Sequence, residues 1–184
     1  MKKRLTLLQM DVHVNDVEYN YNRVQELLTQ SLTENPDIIV LPETWNTGFH
    51  PSDDLITIAD RNGERTKSLL SAFAKEHNVN IVGGSVAVAK DDLVFNTSYA
   101  YNREGTLVGE YSKMHGFSPA KEDKYFASGT HTTHFKLDGI PCSTVICYDI
   151  RFPELVRMAA LPDTELLFVP AQWPTMRLRH WQVL

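Results

Sequence analysis

Cysteine is scarce in this chain: 184 residues carry two, Cys142 and Cys147. If "CSTVIC" is extended, five steps of ~3.3 Å put the two Cα atoms about 16 Å apart on opposite faces. A disulfide needs them within ~7 Å. The thiols are therefore independent, as a reducing compartment favours. Long apolar runs are missing too. The run Leu5 to Leu8 in "MKKRLTLLQMDVHV" stops at Gln9 and Asp11, too short for a signal sequence. No stretch approaches the ~20 apolar residues that span a bilayer, so no membrane partner is expected and the expected address is cytoplasmic. Basic charge is also short. Eighteen Lys and Arg stand against 23 Asp and Glu, a net charge of -5. A nucleic-acid surface needs the opposite balance. With no repeat, low-complexity tract or Gly/Ser-rich linker, residues 1–184 read as one domain.

What the chain does contain is an alternation of elements. "RLTLLQM" reads as a buried strand. Asp16 then looks like an N-cap for a helix with Val17, Tyr21, Val24 and Leu28 on one stripe. "DIIVLP" is a second strand, Glu64 to His77 a second helix, and "VNIVGGSVAV" a third strand. That order predicts parallel pairing through crossover helices. After residue 90 the period changes to two. "LVFNTSYAY" and "TLVGEY" form one expected hairpin, and "THFKL" and "IPCSTVIC" form another around Asp138-Gly139. A short helix from Pro153 and the strand "ELLFVPA" follow. The expected class is α/β, with a mixed sheet.

Three reactive side chains stand where apolar strands end: Glu43 in "LPETWNTGF", Lys113 in "EYSKMHGF" and Cys147 in "VICYDIRFPE". Taken singly, a Glu or Lys is most often solvated, and a free Cys most often packs as a small hydrophobe. Together they have a chemistry. A thiolate attacks acyl carbon but needs a base to take its proton. A carboxylate in a closed pocket can be that base. The tetrahedral intermediate needs donors on its oxygen, which a Lys ammonium and the N–H of Tyr148 would supply. Glu122, in "KEDKYFASG", is the candidate to hold the Lys.

These segments, in this order, resemble the three signature segments of the nitrilase superfamily, the carbon–nitrogen hydrolases. The resemblance implies Glu43 as general base, Lys113 as oxyanion stabiliser and Cys147 as nucleophile. Glu122 corresponds to a second glutamate of many members. It also implies an α-β-β-α sandwich that pairs into dimers, with no metal and no organic cofactor. "CYDIRFPE" and "PAQWPTMRLRHW" resemble the omega-amidase branch, whose members hydrolyse the terminal amide of 2-oxo acids and release ammonia. A small amide is then the expected partner, with Tyr148, Arg151 and Trp173 as candidate substrate-binding residues. Arg151 has a second reading, a buried ion pair with Asp149 or Glu154.

Other readings are weaker. His115 near Lys113 would suit a Cys-His enzyme, but the superfamily pattern gives the base role to Glu43. His131 and His134 are three apart, so on a strand they face opposite ways and would not share a metal. The rival of another class is a non-catalytic remnant. In "RLRHWQVL", Leu178, Trp181 and Leu184 mark a helix stripe with no Gly, Asn or Pro to close it. Family members normally continue past such a helix. The sandwich is therefore expected to be incomplete at the C-terminus, as in a truncated hydrolase.

Overall fold

Asp16 accepts a hydrogen bond from the Tyr19 N–H at 3.1 Å and opens helix α1, Val17–Ser31. A cap of this kind is worth ~1 kcal/mol. Helix α1 lies between strands β1 (Leu5–Leu7) and β2 (Ile38–Val40), which pair in parallel. The computed structural model describes residues 2–49, 51–161 and 163–184. After β2 come a short helix α2 (Leu55–Ile58), strand β3 (Asp60–Arg61) and helix α3 (Glu64–His77). Asn78 ends α3 in the left-handed conformation, φ 51°, which Asn tolerates better than most residues. Strand β4 (Asn80–Val82) then pairs parallel with β2.

The expected third strand is in fact two. Strands β4 and β5 (Val86–Lys90) are separated at Gly83-Gly84, and both pair antiparallel with β6 (Leu93–Tyr101). Gly84 has φ +61°, and a Cβ there would lie 1.9 Å from the Pro42 carbonyl oxygen. The bend thus exists because this backbone must pass directly beneath the exit of β2. Strand β7 (Leu107–Ser112) completes the β6 hairpin. Past a short helix α4 (Glu122–Tyr125), strands β8 (His134–Leu137) and β9 (Ile140–Thr144) turn at Asp138 and Gly139, both with positive φ. Helix α5 (Pro153–Ala160) leads to β10 (Leu166–Phe168), parallel to β9, and α6 (Leu178–Val183) follows.

Among the described residues, seven strands form one sheet, ordered β1-β2-β4-β6-β5-β3 with β7 on β6; β10-β9-β8 form a second. Tyr21, Val24 and Leu28 of α1 and Leu70 and Ala74 of α3 cover the outer face of the first sheet, against Ile39, Ile81, Val86 and Tyr99. Its inner face, with Ile38, Val40, Val82 and Ala100, packs on Phe135, Leu137, Cys142 and Phe168 of the second sheet. Leu155 and Ala159 of α5 close the far side against Val145. The layers are α-β-β-α, as the resemblance implied.

One expectation fails at the edge. Strand β1 is not buried: Leu5 is 39% and Leu7 71% exposed. Their register with Ile38 and Val40 puts them on the inner face, where the three-stranded second sheet leaves them open to solvent. The helical stripe near residue 184 forms, but Leu178, Trp181 and Leu184 are likewise exposed.

Candidate active site

Three turns carry the reactive groups, and each is fixed by hydrogen bonds from distant strands. The turn at Glu43 is pinned to the β4–β5 bend. Ser85 N–H donates to the Pro42 carbonyl at 2.9 Å, Trp45 N–H to the Ser85 carbonyl at 3.1 Å, and the Trp45 indole to the Gly83 carbonyl at 2.9 Å. Asn46 locks onto Ala87 through both its amide N and O, at 3.0 and 2.8 Å. The whole stretch Glu43–Thr47 is buried, although its composition alone reads as a loop.

Lys113 follows β7. Its N–H donates to the Asn96 carbonyl at 2.9 Å and its own carbonyl accepts from Gly129 N–H at 2.8 Å. Cys147 begins a 3-10 turn, Cys147–Arg151, and has φ +47°. A left-handed non-glycine residue costs roughly 1–2 kcal/mol, so its surroundings must impose it. Two bonds do so. Cys147 N–H reaches the Pro170 carbonyl at 2.9 Å, and the Ile146 N–H donates to the Asp149 carboxylate at 3.0 Å. The strand end thereby becomes a sharp elbow that presents the thiol.

The three turns converge. Lys113 Nζ donates to Glu43 Oε1 at 2.8 Å and to Glu122 Oε1 and Oε2 at 2.9 and 2.8 Å. Both carboxylates are fully buried and the Lys113 side chain is 3% exposed. Glu122 also accepts from Phe117 N–H at 2.6 Å, and Glu43 from Gln172 N–H at 2.9 Å. The Gln172 side-chain amide holds the Glu43 carbonyl at 2.7 Å. Cys147 lines the same cleft as Lys113, beside this cluster.

Two buried carboxylates around one ammonium leave a net negative site, and the titrations follow. Burial pushes the Cys147 thiol strongly up, and the Glu43 charge adds to it, so the resting sulfur keeps its proton. Burial alone would lower Lys113, but Glu43 and Glu122 reverse that and hold it charged. Burial raises Glu122 above the usual carboxylate range, against the pull of Lys113.

Cys147 and Lys113 line a cleft of about 360 Å³, its open mouth included, with Phe49, Phe117, Tyr148, Arg151, Gln172, Trp173 and Arg177. The structure thus gathers Glu43, Lys113, Glu122 and Cys147 into one cluster and places Tyr148, Arg151 and Trp173 on the adjoining wall. The ion pair considered for Arg151 does not form. Its guanidinium lies 5.8 and 5.3 Å from the Tyr148 and Trp173 ring centres, and its Nη2 is 2.9 Å from His180 Nδ1. Asp149 instead accepts from Tyr111 Oη at 2.7 Å and His115 N–H at 2.9 Å, and contacts His115 Nδ1 at 3.0 Å. That same contact occupies His115, whose ring stacks on Phe152 at 3.6 Å.

Sequence reasoning missed four residues here. Asn96, Gln172 and Asp149 hold the cluster together, and Arg177 brings a second guanidinium to the cleft. Only Asn96 left a trace: it opens the polar run Asn96-Thr97-Ser98 in the middle of β6.

The comparisons with known proteins bear on the family and the fold. The profile of the carbon–nitrogen hydrolase family matches residues 4–184. A 2-oxoglutaramate amidase of Bacillus subtilis is 39% identical over 184 residues, all of this chain and 70% of that protein. A hydrolase in the agr operon of Staphylococcus aureus is 33% identical, over 98% of this chain and 70% of its own length. Among solved structures, a CN-hydrolase superfamily protein of Xanthomonas campestris superimposes with a TM-score of 0.86 at 27% identity, covering 98% of this chain and 69% of that one. Among the described residues no helix is long and apolar enough to cross a membrane. Fold, sequence and matched length together make this chain a member of the carbon–nitrogen hydrolase family.

Proposed function

We propose that the chain hydrolyses the terminal amide of small 2-oxo acids, releasing ammonia through a thioester on Cys147. The observation that carries this is the convergence of Cys147 and Lys113 on one cleft, with Lys113 held by the buried Glu43. A raised thiol cannot ionise in advance, so its proton must move to Glu43 as sulfur attacks the amide carbon. The new C–S bond turns the carbonyl oxygen into an oxyanion. Lys113 supplies positive charge there. The Tyr148 N–H, in the first turn of its helix where N–H groups lack intrahelical partners, supplies a second donor.

Collapse of the intermediate breaks the C–N bond, and the proton on Glu43 leaves with the nitrogen as ammonia. Water then attacks the thioester and gives its proton to Glu43. The C–S bond breaks, the acid departs, and the proton returns to sulfur. Each atom is accounted for with no cofactor. Glu122 keeps the ammonium in place without touching substrate. Arg151 and Arg177, on the cleft wall, suit the carboxylate of a 2-oxo acid, since an arginine fork matches its two oxygens. Similarity to the 2-oxoglutaramate amidase supports the same substrate class.

The test is ammonia release from 2-oxoglutaramate, with trapping of a Cys147 adduct by mass spectrometry. Turnover abolished by Cys147→Ala supports the assignment. Faster turnover of an aliphatic nitrile would move the chain to another branch. No turnover of any small amide by a folded chain would favour a non-catalytic role.

A further inference from the structure

Asn96 lies in the middle of β6, yet it is 1% exposed and its side chain meets the two glutamates rather than its neighbours in the sheet. Its Nδ2 donates to Glu43 Oε1 at 3.1 Å and to Glu122 Oε1 at 3.1 Å. Lys113 Nζ bonds the same two oxygens. Two carboxylates of like charge are thus clamped from two sides by one neutral and one charged nitrogen. The Asn96 backbone carbonyl also holds the Lys113 N–H. One residue therefore sets the ammonium and both of its counter-charges.

The Asn96 Oδ1 is buried with no partner among the described residues. Buried acceptors are rarely left so. Turning the amide over would place that oxygen against two carboxylate oxygens, so both donors are fixed on the glutamates by the network. The amide forgoes an acceptor bond in order to keep its donors there. That arrangement does little for the sheet and much for the ionised pair.

We infer that Asn96 is a positioning residue that keeps Glu43 and Glu122 ionised side by side, and so keeps Glu43 ready to take the thiol proton. The role of Glu43 as that base rests on the function proposed above. Among the described residues, the charged and titratable groups facing the pair are Lys113 from the end of β7 and Cys147 from its 3-10 turn; the backbone N–H groups of Phe117 and Gln172 each donate to one carboxylate, and Asn96 is a neutral donor to both. Without Asn96, the coupled carboxylates should retain a shared proton to higher pH.

The experiment measures alkylation of Cys147 by iodoacetamide against pH, read at the Cys147 peptide by mass spectrometry, in the whole chain. Asn96→Ala should move the acid limb upward by about one pH unit, a tenfold change in proton affinity. Asn96→Asp keeps the shape but adds a third carboxylate, and should move the limb further. The order wild type, Asn96→Ala, Asn96→Asp supports the inference. Acid limbs unmoved in Asn96→Asp, or in both variants, would overturn it, even if melting temperatures fall. Because Asn96→Asp is isosteric, it gives the answer if Asn96→Ala does not fold. Alkylation needs no substrate. If the limbs move in this order while no amide is hydrolysed, the proposed function fails and the role of Asn96 stands.

Discussion

Lys113→Met separates what the lysine does for stability from what it does for chemistry. The substitution removes three short hydrogen bonds and leaves two fully buried carboxylates facing each other, with Asn96 as a donor they still share. Breaking a buried charge pair by deleting one partner costs ~3–5 kcal/mol. A chain of this size loses roughly 2–4 °C in melting temperature per kcal/mol, so a fall of ~6–20 °C is expected. Ammonia release should drop by at least ~10²–10³, the usual loss for one oxyanion donor. The double variant Lys113→Met/Glu122→Gln removes the stranded second charge. Its melting temperature should recover most of the loss while its activity stays low. Thermal melts and ammonia release on the three proteins give the answer. Single-variant activity within about tenfold of wild type would refute the oxyanion role. A double variant that melts no higher than the single would refute the charge accounting.

Three further outcomes are expected. Iodoacetamide should label Cys147 before Cys142, because Cys147 opens on the cleft while Cys142 is 1% exposed in β9; equal labelling, read by peptide mass, would count against the elbow. Arg177→Leu should raise KM for 2-oxoglutaramate by ~10–100-fold with kcat little changed, the scale of one charged hydrogen bond, and leave a neutral amide unaffected; equal KM changes for both would remove the carboxylate contact. The Arg103 bond holds Asp138 below its usual range, so its contribution to stability is present above pH ~4 and is lost as pH falls below that toward the depressed value. Melting of the wild type should therefore fall more steeply between pH 4 and 2 than melting of Asp138→Asn, by a few degrees, and parallel curves would refute the link.

What was legible in the sequence is what local chemistry decides. Helix α3 spans Glu64–His77 as its period of 3.6 required, and Asp138-Gly139 turns the hairpin that its positive φ angles allow. Elements decided by distant contacts were misread. "VNIVGGSVAV" has the composition of one strand, but the bend at Gly84 is set by the Pro42 carbonyl, more than forty positions away in sequence. The exposure of Leu7 depends on which strand lies opposite β1 across the sandwich, and nothing in "RLTLLQM" carries that information.

The site divides in the same way. Glu43, Lys113 and Cys147 stood out because a reactive group that ends an apolar strand is conspicuous. Asn96 did not, because it stands beside Thr97 and Ser98 in a short polar run inside β6. The alternative reading of Arg151, an ion pair, fails for a geometric reason. In a strand, positions 149 and 151 share a face, which invites the ion pair with Asp149. Here the chain leaves the strand at Cys147 and enters a 3-10 turn with three residues per revolution, so the two side chains diverge. Asp149 turns inward to fix Ile146, Tyr111 and His115. Arg151 turns outward over Tyr148 and Trp173. The turn that presents the Cys147 thiol to the cleft is therefore the one that places Arg151 on its wall, and one backbone conformation at Cys147 sets both placements.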